Sequence, residues 1–154
     1  MKTTSLYLDD DVLIDAGSGV GDLYLEEMAH IRHIFLTHSH LDHVAFIPLL
    51  IDSVFERITD PITVYAQPET IKALEDHIFN WVIWPNFSQL PDPANPVLRF
   101  EEMKPGEVKR IGERDFEMIP VNHSVPGVGY RVSNGKGSFA FSGDTSSNDT
   151  FWDA

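Results

Sequence analysis

The sequence feature that most constrains this chain is a cluster of histidines directly after a short apolar run. Ile34, Phe35 and Leu36 form the apolar run, which is typical of a buried strand. The cluster that follows has three histidines within six positions and reads Thr37-His38-Ser39-His40-Leu41-Asp42-His43. Residues two apart in an extended chain point to the same side, so His38 and His40 can bind one cation. The sequence therefore predicts a metal site at the end of a buried strand.

The same segment has a simpler interpretation as a polar loop. Asp42 stands where the chain turns into a predicted helix, and aspartate is a good residue for the start of a helix. This interpretation does not explain three histidines directly after a buried strand. Imidazole nitrogens and carboxylate oxygens are suitable zinc ligands at roughly 2.0–2.2 Å. We therefore favour a metal site in which Asp42 and His43 face a second cation beside the first.

Two later residues follow predicted strands in the same way. His123 comes just after a predicted strand at 116–121, and Asp144 just after one at 138–142. If these strands end at the same rim as the histidine cluster, the residues can share one site. Asp144 can bridge two cations, because a carboxylate has two oxygens. Alone, each would be an ordinary loop residue, but their order after the first motif favours a common metal site.

The amino-acid composition limits which residue types can bind a metal and which partners the chain can bind. The 154 residues include no cysteine, so a tightly held metal must use histidine and carboxylate ligands. The chain has 11 basic and 24 acidic residues and a net charge of −13. Long nucleic acids are usually held by lysine and arginine surfaces, so a small substrate is favoured over a polymer. A homo-oligomer is left open.

The N-terminal residues lack the apolar stretch of a signal peptide. No apolar run reaches the length of a transmembrane helix either. We therefore expect a cytoplasmic protein that does not bind membranes.

The predicted elements change character along the chain. The first half alternates strands with helices, the strands at 5–8, 12–14, 34–36 and 62–65 and the helices at 23–29, 41–58 and 68–79. Pro48 should kink or restart the second helix, and Pro68 should open the third. The second half is β-rich, with strands at 97–101, 108–111, 116–121, 128–132 and 138–142. This pattern predicts a single domain over 1–154, of α+β or α/β class.

The segment at 80–96 contains three large aromatic residues among four prolines, and it is predicted to be a structured loop. Trp81, Trp84 and Phe87 could form an aromatic wall that stacks on a nucleobase. The commoner role of such residues is to pack a long loop onto the body of the domain, and we favour that interpretation.

The metal pattern resembles that of the metallo-β-lactamase superfamily. The resemblance lies in the His-x-His-x-Asp-His segment that begins at His38, the later His123 and the Gly143-Asp144-Thr145 turn. Asp15, in Leu13-Ile14-Asp15-Ala16-Gly17, resembles the early aspartate of this superfamily, which supports the metal ligands from behind. The resemblance implies a four-layer αββα sandwich, with two β-sheets face to face and helices outside. The site would lie along one edge.

Two stretches narrow the resemblance. Residues 37–54 resemble class II cyclic-nucleotide phosphodiesterases, and residues 123–131 are similar both to those enzymes and to ribonuclease Z. This implies a metal-dependent phosphodiesterase that hydrolyses a small cyclic nucleotide resembling 3′,5′-cyclic AMP. Two divalent cations, zinc in the first instance with manganese or iron as alternatives, would hold a bridging hydroxide.

The resemblance also assigns roles to the predicted ligands. His38, His40 and His123 would hold the first cation. Asp42 and His43 would help hold the second cation, and Asp144 would bridge the two. Asp42 would also act as the general base that takes the proton of the attacking water.

The chain departs from the family pattern at both ends. The glycine-containing first strand of the family does not precede Thr3, and the closing histidine expected well after Asp144 is absent. His30, His33 and His77 lie too early to replace that histidine. We therefore expect a domain that is incomplete at both ends or is completed by another chain.

Three other functions compete with a cyclic-nucleotide phosphodiesterase. The first is a ribonuclease Z-like endonuclease that processes RNA, which the acidic net charge disfavours. The second is a truncated metal-binding module without activity. The third is thioester or lactam hydrolysis, because a fold and its metal site do not determine the substrate.

Overall fold

The computed structural model describes residues 2–153, and its strands form two β-sheets. The strands of the first sheet follow chain order and are β1 (Leu6–Leu8), β2 (Val12–Ile14), β3 (His33–Phe35), β4 (Ile62–Ala66) and β5 (Leu98–Glu102). β1 and β2 are antiparallel, and the remaining neighbours are parallel. The second sheet is antiparallel and contains β6 (Val108–Ile111), β7 (Arg114–Pro120), β8 (Val128–Ser133) and β9 (Ser138–Phe141).

The helices connect the strands of the first sheet and follow the last strand of the second. They are α1 (Leu25–Met28), α2 (Leu41–Val44), α3 (Phe46–Val54), α4 (Pro68–His77) and α5 (Asp149–Trp152). Short 3₁₀ helices lie at Ser18–Asp22, Phe55–Arg57 and Phe87–Gln89. Each strand predicted from the sequence is confirmed to within two residues at either end.

The single helix predicted at 41–58 is divided into α2 and α3, and the division falls at Ala45 rather than at Pro48. Pro48 lies in the first turn of α3, where the missing N–H of proline does not break a helical hydrogen bond. The backbone N–H of Phe46 donates instead to the carbonyl of Ala16, at 2.9 Å. The predicted restart is therefore confirmed, and it lies three residues earlier than the proline.

Side chains that alternate along the strands of the first sheet build two separate cores. Leu13, Ile34 and Val64 face the core shared with the helices. Phe35 faces the second sheet, where its ring stacks on Phe116 with the ring centroids 4.2 Å apart. The predicted face-to-face sandwich is confirmed.

The outer face of the second sheet carries α5. Phe151 of this helix is buried against Gly129 of β8, where a Cβ atom would lie 2.3 Å from the Phe151 ring. The helices of the first sheet, the two sheets and α5 thus form three layers and part of a fourth. Among residues 2–153, no helix is long and apolar enough to cross a membrane.

The loops after β3, β7 and β9 meet at one rim of the sandwich, as expected from the sequence. The backbone N–H of Val128 donates to the carbonyl of Thr37, at 2.9 Å. The hydroxyl of the buried Tyr130 donates to the carbonyl of Leu36, also at 2.9 Å. These two bonds attach the end of β3 to the start of β8 and bring residues of both sheets to the same edge.

Candidate metal centre

Side chains from both sheets bring nitrogen atoms together at this rim. His40 Nδ1 lies 3.0 Å from His38 Nε2 and 3.1 Å from His123 Nε2. A second group consists of His38, His43 and Asp144, whose ligand atoms lie within 4.8 Å of one another. In that group, Asp144 Oδ1 is 3.6 Å from His43 Nε2. The structure therefore brings these five predicted residues together.

The donor set fits a divalent cation such as zinc. Ligand atoms held at roughly 2.0–2.1 Å from one tetrahedral zinc ion lie about 3.3 Å apart. The spacings of 3.0 and 3.1 Å among His38, His40 and His123 are close to this value. Histidine nitrogens and carboxylate oxygens also accept manganese and iron, so the ligands do not select one metal.

Asp42, the remaining predicted ligand, lies beside the two groups. Its side chain is 54% exposed, and Oδ2 is 3.6 Å from His43 Nε2. The second group contains His38 where the sequence analysis expected Asp42. The role of Asp42 as a ligand and as a general base stays a prediction.

Asp15 lies behind the ligands, in the position that the sequence analysis expected. It is fully buried and follows β2 with a φ of 57°, a left-handed conformation that is uncommon outside glycine. Its Oδ2 accepts a hydrogen bond from His43 Nδ1 at 2.7 Å, and Oδ1 accepts one from the Thr37 backbone N–H at 2.8 Å. An ionised carboxylate is only an acceptor, so His43 carries its proton on Nδ1 and directs Nε2 towards the cluster.

Thr37 is a positioning residue that the sequence analysis missed. Its hydroxyl has one proton, which it donates to Asp15 Oδ2 at 2.8 Å. The same oxygen lies 2.9 Å from His38 Nδ1 and can only accept from it. His38 therefore also carries its proton on Nδ1, which leaves Nε2 free for a cation. Asp15 and Thr37 together orient both buried histidines.

Burial and neighbouring groups shift the pKa values of these residues. Burial, followed by the charges of the surrounding histidines, lowers the pKa of His38 to about 4, so its imidazole is neutral at pH 7. Burial also raises the pKa of Asp15, although hydrogen bonds from His43 and Thr37 oppose this effect. For His43, burial is outweighed by the hydrogen bond and charge of Asp15, and its pKa is raised.

A cleft of about 1020 Å³ opens beside the cluster. Its walls come from the end of β4, the loop after β7 and the loop after β9, and include Gln67, His123 and Asp144. Among the described residues that line it, none is a lysine or an arginine. Gly143 has a φ of 57° and approaches Thr37 so closely that a Cβ atom would lie 2.9 Å from the threonine side chain. This close contact holds Asp144 at the rim.

The aromatic residues of the loop at 80–96 do not line this cleft. Phe87 is buried beside Phe79, and Trp84 packs against the same core. Trp81 is 57% exposed. Packing of the loop onto the domain, the interpretation favoured from the sequence, is thus confirmed for Phe87 and Trp84.

The three other histidines do not join the cluster. His30 and His77 are exposed, and His33 lies at β3, where its Nδ1 is 3.2 Å from the hydroxyl of Tyr65. None of them belongs to either group of ligand atoms among residues 2–153.

Comparisons with known proteins identify relatives of this chain. A probable 3′,5′-cyclic-nucleotide phosphodiesterase of Yersinia pestis is 32% identical over 123 residues, which are 77% of this chain and 34% of that protein. A ribonuclease Z of Methanococcus maripaludis is 31% identical over 101 residues, which are 65% of this chain and 31% of that protein. The chain thus spans about a third of the length of these relatives.

The fold has a close counterpart among solved structures. The structure of unliganded yeast PDE1 superposes with a TM-score of 0.70 at 23% identity, over 82% of this chain and 39% of that one. The family model described as the beta-lactamase superfamily domain matches residues 11–152. The chain therefore belongs to the beta-lactamase superfamily and has the metallo-β-lactamase fold.

Proposed function

We propose that this chain forms the metal-binding part of a phosphodiesterase that hydrolyses a small cyclic nucleotide. The observation that carries the proposal is the convergence of His38, His40, His43, His123 and Asp144 beside the cleft. The similarity to a probable 3′,5′-cyclic-nucleotide phosphodiesterase supports this substrate class. When bound, two cations lower the pKa of a water molecule between them and neutralise charge on the phosphoryl oxygens.

The candidate residues have separate roles in metal binding and in proton transfer. His38, His40 and His123 would hold one cation, His43 and Asp42 would hold the other, and Asp144 would be shared between them. The Asp42 side chain is half exposed and its Oδ2 is 3.6 Å from His43 Nε2, so its carboxylate would accept the proton of the attacking water. Asp15 and Thr37 hold His43 and His38 in the tautomers that bind metal.

The charge of the cleft favours a small substrate. Among the described residues that line it, no lysine or arginine is present to follow a polynucleotide backbone. A cyclic nucleotide carries a single phosphate charge, which the cations alone can neutralise. The similarity to ribonuclease Z supports RNA cleavage as the second candidate function.

Metal content is the first test. The protein is reconstituted with zinc and desalted, and zinc per chain is measured for the wild type, His38→Ala and His77→Ala. The exposed His77 lies outside the cluster and serves as the matched control. We expect close to two zinc ions in the wild type and His77→Ala, and a clear loss in His38→Ala. A folded wild type without zinc would refute the proposal.

Turnover under varied salt separates the two candidate functions. The rate of 3′,5′-cyclic AMP hydrolysis by the zinc-loaded protein should change little when the salt concentration rises from about 50 to about 200 mM. Over the same range, the affinity for a nucleic acid bound through many phosphates falls by about 10³–10⁵. RNA cleavage that falls steeply over the same range, without cyclic-nucleotide turnover, would favour the ribonuclease. The cytoplasmic location and a homo-oligomer stay predictions.

A further inference from the structure

Gln67 lies one strand away from the metal cluster and lines the same cleft. It directly follows β4, which runs parallel to β3 with Tyr65 paired to Phe35. Gln67 and Thr37 each lie two residues beyond this pair. Neighbouring strands are about 4.8 Å apart, so the backbone of Gln67 lies close to the segment that carries His38.

The buried oxygen of the Gln67 side chain makes no hydrogen bond that would stabilise the fold among residues 2–153. The residue precedes α4, and its backbone carbonyl accepts from Thr70 and Ile71 at 3.0 and 3.1 Å. The side chain makes no capping bond to the helix. Its Oε1 is buried and has no hydrogen-bond partner among residues 2–153. An unsatisfied buried acceptor costs about 1–3 kcal/mol, so a purely structural residue would be apolar here.

The chemistry of an amide oxygen limits what it can bind. Oε1 is a neutral acceptor, so its partner must be a hydrogen-bond donor. An ionised phosphodiester has only acceptor oxygens and cannot fill this role. The uncharged donors of a cyclic adenine nucleotide are the ribose 2′-hydroxyl and the amino group of the base. The 2′-hydroxyl is on the carbon next to the one that carries the reacting ester oxygen.

We infer that Gln67 is a specificity-determining residue whose amide group turns from its buried position into the cleft that the residue lines, where Oε1 accepts a hydrogen bond from the ribose 2′-hydroxyl or the base amino group of the bound nucleotide, an inference that rests on the proposed function. Gln67 thereby selects the nucleoside part of the substrate, while the metal ligands bind the phosphate. A general phosphodiester that lacks such a donor gains nothing from Gln67.

Equilibrium binding of reaction products tests this role without turnover. Zinc-loaded wild type, Gln67→Met and the control Gln89→Met are titrated calorimetrically with three nucleotides: 5′-AMP, 2′-deoxy-5′-AMP and purine ribonucleoside 5′-monophosphate. Gln89 is exposed and lies outside the cleft. One neutral hydrogen bond corresponds to about a 3- to 10-fold weaker affinity for 5′-AMP in Gln67→Met. Gln89→Met should bind as the wild type does.

The two analogues identify the donor. If the 2′-hydroxyl is the partner, Gln67→Met loses nothing with 2′-deoxy-5′-AMP; if the amino group is the partner, it loses nothing with the purine ribonucleotide. Equal losses with all three nucleotides, or none with any, overturn the inference. Zinc content should match the wild type, and the thermal midpoint should not fall, because methionine removes a buried oxygen that has no hydrogen-bond partner among residues 2–153.

The experiments distinguish failure of the proposed function from failure of the inference about Gln67. A zinc-loaded wild type that hydrolyses bis(p-nitrophenyl) phosphate but neither binds nor hydrolyses any nucleotide overturns both the function and the inference. Cyclic AMP turnover by the wild type, with Gln67→Met showing unchanged discrimination against both the 2′-deoxy analogue and the analogue without the amino group, overturns the inference alone.

Discussion

Replacing Thr37 by valine should damage the metal centre without touching a ligand. Valine has nearly the same shape but lacks the hydroxyl that donates to Asp15 at 2.8 Å and accepts from His38 at 2.9 Å. The lost bond to the carboxylate contributes about 1.5–3 kcal/mol, and the buried N–H left unpaired on His38 costs about 1–3 kcal/mol. We therefore expect the metal-free protein to lose about 2.5–6 kcal/mol of unfolding free energy.

Zinc affinity should fall in the same variant because His38 loses the partner that directs Nε2 towards the cation. Removal of such a supporting hydrogen bond weakens metal binding by about 10- to 100-fold. Urea unfolding in the presence of a chelator measures the stability, and competition with a fluorescent zinc chelator measures the affinity. Thr37→Ser keeps the hydroxyl and should retain most of the zinc affinity. A Thr37→Val protein that binds zinc within twofold of the wild type would refute the positioning role.

Three further predictions concern the same region. Asp15→Asn should weaken zinc binding by about 10- to 100-fold, because one of the two oxygens that accept from Thr37 and His43 becomes an NH₂ donor. Competition with a fluorescent zinc chelator measures the change. Gly143→Ala should lower both the thermal midpoint and the zinc content, because its Cβ would lie 2.9 Å from Thr37. In metal-free protein, NMR titration should find a pKa of about 4 for His38, below its ordinary 6.5. Between pH 4 and 6.5 the unfolded chain binds more protons at His38 than the folded protein does. The contribution of His38 to the free energy of unfolding is therefore complete above pH 6.5 and is lost as the pH falls towards 4. A measured pKa near 6.5 for His38 would contradict this prediction.

The positions of the candidate ligands could be predicted from the sequence because local rules determine where they lie. His38, His40, Asp42 and His43 belong to one segment after a strand, and extended chain directs the first two to one side. Asp144 required only the inference that its strand ends at the same rim. The turn between β8 and β9 is equally local, because the pair Asn134-Gly135 is a hairpin signal in the sequence and Gly135 adopts a φ of 76°.

Thr37 and Gln67 could not be assigned in this way because their roles depend on long-range packing. A threonine after a strand is unremarkable until Asp15, 22 residues earlier, is brought against it by the pairing of β2 with β3. The one indication of this contact was that Asp15, like Thr37, lies just after a strand, and that the two strands belong to the same sheet. Glutamine before a helix is a poor capping residue, and this was the local clue that its side chain serves another purpose.

The break between α2 and α3 follows from the same long-range packing. Proline predicted that the helix would restart, but the place of the restart depends on Ala16. Its backbone N–H donates to the carbonyl of His43 at 2.7 Å, and its carbonyl accepts from Phe46 at 2.9 Å. These bonds attach the end of α2 to the turn that carries Asp15, so the helix is interrupted where the metal-binding segment is anchored.

The first sheet contributes buried residues to the candidate metal centre, whereas the second sheet contributes residues from loops. This difference can explain how substrates differ between relatives. His38 and His43 are almost fully buried and are oriented by Asp15 and Thr37 of the same sheet. His123 and Asp144 come from loops of the second sheet, and the Asp144 side chain is 49% exposed. Because Asp15 and Thr37 fix the buried half by hydrogen bonds, the loops of the other half can change without moving the buried histidines. Those loops, together with Gln67, form the walls of the cleft, so substrate choice can vary with little effect on the buried ligands.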